Sequence, residues 1–235
     1  RVRVYVDTPM RPTPEEFAAK MKERVDAGFT FLKMDFGIEL LRDQPGMVVG
    51  RNLWDPRLQQ WDRTPGSYGM TRHPFTAIQV TDRGLEQLTA YLAAVRSAVG
   101  YEVPLASDHY GHFGVNDAIR LGRAVEPYRL AWLEDMVPWD YTEMWKEISM
   151  AIETPTITGE DIYLLEYFKP LIDARAVDMV HPDPNSAGGI LETRKIAAMA
   201  EAFDIAVAPH CPLGPIVLAA SLQLDACTPN AIIQE

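Results

Sequence analysis

Six acidic or histidine positions recur in this sequence at nearly constant steps. Asp108, Glu134 and Glu160 are 26 residues apart, and Asp183, His210 and Glu235 follow at 23, 27 and 25. Asp7 and the pair Lys33 and Asp35 precede them. Each closes a short apolar run, so one repeating unit would set them side by side. Carboxylates held that close raise one another's pKa and destabilise the fold unless something neutralises them, and a divalent cation does so. Asp108, Glu134 and Glu160 offer oxygen ligands and no thiolate, which suits Mg2+. The alternative for any of them is a helix N-cap, and that is the reading taken for Asp161, one residue past its run. His210 lies in "VAPHCPLGP". One unit earlier stands Asp183, placed to accept a ring N–H and fix the tautomer and basicity of the imidazole. A His–Asp pair beside a cation is a device for abstracting a proton.

The elements needed to position these groups are legible as a beat of strands and helices. Apolar, β-branched runs at 2–7, 29–35, 104–108, 130–135, 156–160, 177–183, 205–210 and 231–235 read as eight strands. Between them lie helical patterns. Thr13, Pro14 and Glu16 form a helix start, Phe17, Met21 and Val25 share one face, and Gly28 is the stop. Leu85, Leu88, Leu92, Val95 and Val99 repeat at three and four residues before Gly100. Residues 190–203 and 216–224 read the same way. Eight βα units in 235 residues is the arithmetic of an α/β fold of the (β/α)8 TIM-barrel type, with parallel strands and residues 1–235 as a single barrel domain. The strand C-termini then converge on one face. One interval, 37–80, breaks the beat; it is rich in Arg, Pro, Gly, Trp and Gln. On a barrel this insertion after the second strand lies on the C-terminal face, as a lid carrying Trp54, Trp61, Tyr68 and His73, or as a contact between copies of the chain.

Composition narrows the partners. Twenty-two Lys and Arg against 33 Asp and Glu give a net charge of −11, so nucleic acid and anionic membrane surfaces are expected to be repelled. No run approaches the roughly 18 apolar residues of a membrane helix. Two cysteines, Cys211 and Cys227, are too few for a disulfide framework and fit a reducing, cytoplasmic setting. The expected partner is a small-molecule carboxylate substrate, with assembly into a homo-oligomer. The first residue, Arg1, falls at a strand start without an initiator Met, which suggests a piece of a longer polypeptide.

At these residues the pattern resembles the enolase superfamily, and within it the mandelate racemase branch. The segments that carry the likeness are "SDHYG", "WLED", "TGED", "HPDPNSAGGI", "APHCPLGPI" and the terminal "IIQE". The resemblance implies that Asp108, Glu134 and Glu160 hold Mg2+, which binds a substrate carboxylate and stabilises the enediolate formed when the α-proton is removed. It implies that Glu235 hydrogen-bonds the substrate as a protonated acid, and that an N-terminal α+β capping domain, absent from this chain, shapes specificity.

Racemases of the branch carry a Lys-x-Lys pair on the second strand. Here it reads Lys33-Met34-Asp35, so the base opposite the histidine is missing. Lys33 still matches the first lysine as a substrate contact, and a buried salt bridge to Asp35 is the plainer alternative. A one-base reaction fits better, and the terminal segments look like those of the acid-sugar (galactonate-type) dehydratases. In those enzymes a histidine two residues after the first metal ligand protonates the departing 3-hydroxyl. That place is Tyr110 here, with His109 and His112 as the other candidates, although a phenol with a pKa near 10 is a poor acid at neutral pH. The expected activity is Mg2+-dependent dehydration of an aldonate or aldarate to a 2-keto-3-deoxy acid. Racemisation or epimerisation of an α-hydroxy or α-amino acid is the second reading, and a non-catalytic barrel with an assembly role is the third.

Overall fold

The computed structural model describes residues 1–41, 44–49, 79–109 and 113–235. In chain order these form β1 (Leu32–Asp35), β2 (Val48–Val49), β3 (Gln79–Val80), β4 (Leu105–Asp108), β5 (Leu133–Glu134), β6 (Thr156–Thr158), β7 (Met179–Val180) and β8 (Ala206–Val207). The helices are α1 (Pro14–Asp26), α2 (Asp82–Val99), α3 (Val115–Val125), α4 (Thr142–Ala151), α5 (Leu164–Asp173), α6 (Ile190–Ala202) and α7 (Pro215–Ala226). Helix starts and stops follow the side chains. The Thr13 hydroxyl accepts the Glu16 N–H at 3.1 Å to open α1, and Thr81 does the same for Gly84 at 3.0 Å to open α2. Gly100 closes α2 at φ 74°, where a Cβ would be strained.

The parallel order is β1-β4-β5-β6-β7-β8, each neighbour reached by a strand–helix crossover. The ring is completed by the two outermost runs, which pair as isolated parallel bridges rather than as full strands: Val6 with Leu32, Val207 with Ala231, and Val4 with Gln234. Tyr5 N–H donates to the Gln234 carbonyl and Gln234 N–H to that of Arg3, both at 2.9 Å. Chain start and chain end therefore sit side by side and close the barrel. All eight sequence runs are present as extended segments, though shorter than their apolar stretches because the runs include the turns into the helices.

Two layers fill the barrel. Tyr5, Phe31, Ala106, Trp132, Ile157, Met179, Ala208 and Ile233, one from each extended segment, form a separate buried cluster. Phe31 stacks on Trp132 at 4.9 Å between centroids, and Tyr5 meets the same indole edge-on at 5.5 Å. Strand side chains alternate, so the residue two further along each segment also faces inward, one layer nearer the C-terminal end. Those residues are Asp7, Lys33, Asp108, Glu134, His181, His210 and Glu235, and on the β6 segment Gly159. An apolar plug thus supports a polar ring. The outer core between sheet and helices contains the large apolar residues of the amphipathic helices, among them Phe17, Leu88, Leu121, Trp145, Phe168 and Ile196.

Within the insertion, β2 and β3 pair antiparallel, Val48 with Val80 and Val49 with Gln79. Trp54, Trp61, Tyr68 and His73, and the proposed proton donors Tyr110 and His112, lie outside the described residues. Among the described residues no helix is long and apolar enough to cross a membrane.

Candidate active site

The polar ring is held together by charge. Lys33 extends its ammonium from β1 into the centre, 2.6 Å from Glu134 Oε1, 3.4 Å from Glu235 Oε1 and 3.5 Å from Asp108 Oδ2. Burial alone would depress the Lys33 pKa, but Glu134 and its other anionic neighbours hold it well above the usual lysine value. Lys33 is therefore a fixed cation. Asp108 and Glu134 are pushed upward, first by burial, and Asp108 also by the charge of Glu134. The second Glu134 oxygen accepts the Trp132 indole N–H at 2.8 Å, so the plug layer aims the carboxylate directly.

Glu160 follows Gly159, whose φ of 140° and tight surroundings exclude a side chain: a Cβ there would lie 2.8 Å from the Phe168 ring and 3.2 Å from the His181 backbone nitrogen. This turn shifts the alternation on β6 by one residue and brings Glu160 to the mouth. Glu134, Glu160 and His181 each offer a ligand atom, and these atoms lie within 4.8 Å of one another. Asp108 is joined to them through Lys33. A dense set of buried carboxylates with a single lysine fits a divalent cation, and the orphaned nitrogens of His181 strengthen that fit, since neither makes a hydrogen bond.

His210 stands next to this group. Its Nδ1–H donates to Asp183 Oδ2 at 2.9 Å, while Nε2 faces Glu160 Oε2 at 3.0 Å and Glu235 Oε2 at 3.6 Å. Asp183 is itself fixed, because its other oxygen accepts the Asn185 N–H at 2.7 Å in the turn of the "DPNSAGG" segment. Burial works against a charged imidazole, but Glu160, Asp183 and Glu235 together raise the His210 pKa well above its ordinary value. In turn His210, with His181 and Lys33, overcomes burial and holds Glu160 low. Side-chain exposures of 17% for Glu160, 13% for His210 and 11% for Glu235, against 1% for Asp183, set the first three at the open rim. A small molecule entering the mouth meets those groups.

Glu235 differs from its expected protonated state. Burial pushes its carboxyl up, but Lys33, His210 and the Cys211 N–H, which donates to Oε2 at 2.8 Å, bring it below the ordinary value. Asp35 lies beside Asp108 in register at the end of β1, and its N–H donates to the Thr8 carbonyl at 3.0 Å. His109 is not gathered with the rest. Its ring is fully buried, with Nδ1–H donating to the Phe36 carbonyl at 2.7 Å and Nε2 accepting from the Ser107 hydroxyl at 3.1 Å. Burial lowers its pKa to about 4. His181 was absent from the sequence-derived site, although its place two residues before Asp183 and two after Met179 is the signal for an inward-facing side chain.

A (β/α)8 barrel with acidic strand ends and a His–Asp pair is the architecture of an enolase-type domain. The chain belongs to the Enolase C-terminal domain-like family, whose model matches residues 16–235. It is 39% identical over 159 residues to D-galactonate dehydratase of Variovorax paradoxus (strain S110), covering 68% of this chain and 42% of that one. It is 40% identical over 155 residues to D-galactonate dehydratase of Ralstonia pickettii (strain 12J), covering 66% and 41%. The chain thus spans less than half the length of these relatives. Among solved structures, the mandelate racemase/muconate lactonizing enzyme-like protein from Rubrobacter xylanophilus DSM 9941 is 31% identical with a TM-score of 0.80, over all of this chain and 56% of that one.

Proposed function

We propose that this barrel carries the chemistry of a metal-dependent acid-sugar dehydratase, a hydro-lyase that converts an aldonate or aldarate to a 2-keto-3-deoxy acid and water. The observation that carries the reading is the His210–Asp183 hydrogen bond of 2.9 Å with Nε2 turned to the mouth. Fixing Nδ1 as the donor leaves Nε2 as the atom that would take the proton α to a substrate carboxylate, once a cation on Glu134 and Glu160 offsets the anionic charge that raises the His210 pKa. Asp183 stabilises the imidazolium that results. Loss of the 3-hydroxyl as water, with the second proton supplied from the segment after Asp108, leaves an enol that tautomerises to the 2-keto acid.

Asp108, Glu134 and Glu160 would hold the cation, which on those oxygen donors alone would be Mg2+. When bound, it withdraws charge from the substrate carboxylate and makes the adjacent C–H more acidic. Lys33 adds a fixed positive charge beneath the same point, and Glu235, oriented by the Cys211 N–H, is placed to receive a substrate hydrogen bond.

Lys33 also argues for this reading over a racemase. A second base must be neutral before it takes a proton, and Lys33 stands against three carboxylates. Incubating the full-length protein with a library of aldonates and aldarates, and measuring 2-keto acid, tests the proposal. D2O exchange separates the readings: an epimerase returns α-deuterated acids of the same constitution with no 2-keto acid, and that result would displace the dehydratase.

A further inference from the structure

We propose that His181 is a nitrogen ligand of the cation site at Glu134 and Glu160, and that it gives the site a preference for a first-row transition dication over Mg2+. The inference rests on the cation reading above and refines it. His181 is fully buried on β7's C-terminal side, and neither ring nitrogen makes a hydrogen bond. A buried imidazole nitrogen without a hydrogen bond destabilises the fold, a penalty that a leucine at this place would avoid. The ring is nonetheless aimed. Nδ1 lies 3.5 Å from Glu134 Oε1, and Nε2 lies 3.8 Å from Asp135 Oδ1 on the opposite side.

Asp135 is held for this geometry. Its Oδ1 accepts the Thr158 hydroxyl at 2.6 Å, and its backbone adopts φ 46°, a left-handed conformation that Asp tolerates better than most residues. A carboxylate behind one ring nitrogen with anionic ligands before the other is the arrangement that orients a metal-bound histidine and fixes its tautomer. Nδ1 is then the donor atom, and Nε2–H points to Asp135. The competing role is that of a second buried counter-charge to Glu134, like Lys33. Oxygen-only sites suit Mg2+, whereas an added imidazole strengthens binding of transition dications. A mixed carboxylate–imidazole set therefore changes which ion the barrel selects.

The test uses the full-length protein loaded with Mn2+ and examined by electron spin-echo modulation for a directly bound 14N nucleus. His210 Nε2 also approaches Glu160, so the spectrum is recorded for the parent, His181→Gln and His210→Asn proteins. Nitrogen modulation should be present in the parent and in His210→Asn and absent in His181→Gln. In calorimetric titrations His181→Gln should weaken Co2+ binding by about 10–100-fold and change Mg2+ binding by less than about threefold. The idea is overturned if Mn2+ binds the parent without nitrogen modulation, if the modulation survives in His181→Gln, or if Co2+ and Mg2+ weaken together. Should the parent bind none of these ions, the cation reading itself falls and the inference with it. Nitrogen modulation that survives in His210→Asn decides the ligand question even if His181→Gln proves unstable.

Discussion

His210 and Asp183 meet across one βα step, 27 residues apart in the chain and 2.9 Å apart in space. The contact holds one ring nitrogen at the barrel wall and turns the other to the mouth. Positioned acid–base groups contribute about 10²–10⁴-fold, so His210→Asn in the full-length protein should slow α-proton exchange in D2O by at least about 100-fold. Asp183→Asn should cost less, since it leaves the imidazole in place. Exchange at the parental rate in His210→Asn would remove the histidine from the mechanism.

Lys33 is buried against Glu134, Asp108 and Glu235. Deleting one member of a buried charge set commonly costs about 3–5 kcal/mol. Lys33→Met should therefore lower the melting temperature strongly in metal-free buffer, and millimolar Mg2+ should restore more stability to the variant than it adds to the parent. An equal metal effect on both proteins would show that Lys33 and the cation answer to different carboxylates.

His109, fixed between the Phe36 carbonyl and the Ser107 hydroxyl, reads as a core histidine with both nitrogens satisfied. Its folded pKa of about 4 lies below the ordinary value, so it opposes folding as pH falls from about 6.5 toward 4. NMR titration of the ring should find it neutral at pH 5. His109→Asn should cost about 1–3 kcal/mol of stability and leave α-proton exchange within a few-fold. A midpoint near 6.5, or loss of exchange with the fold intact, would return His109 to the site.

Asp225 on α7 has no hydrogen-bond partner for either oxygen, and burial raises its pKa to about 7 from 3.8. The folded state keeps this proton to higher pH than the unfolded chain does, so Asp225 lowers stability progressively as pH rises from about 4 to 7. Asp225→Asn should stabilise the protein by about 1 kcal/mol at pH 8, a figure reduced from the full shift because the side chain is partly exposed. The gain should be smaller at pH 5. Thermal melts at the two values decide it, and a gain independent of pH would place the effect elsewhere.

What the sequence determined by itself was the list of strands and the layer to which most site residues belong. Period-two alternation is local: Ala106 before Asp108, Trp132 before Glu134, Ala208 before His210 and Ile233 before Glu235 are each a plug residue followed by a site residue, and nothing distant is needed to see it. Equal βα spacing then makes neighbours of groups far apart in the chain. The tertiary structure decided what depends on packing between segments. Glu160 breaks the alternation because Gly159 turns where Phe168 and the His181 backbone leave no room for a Cβ, a constraint set by two other segments. His109 continues the strand after Asp108, but the Phe36 carbonyl captures its ring, and only the closed fold brings that carbonyl near. Charge state also follows from proximity across the barrel: Glu235 is held low by Lys33 and His210, and neither is within twenty residues of it in the chain. His181 joins the site for the same reason, since its ring acquires its neighbours Glu134 and Asp135 only when β5 and β7 are set on either side of β6.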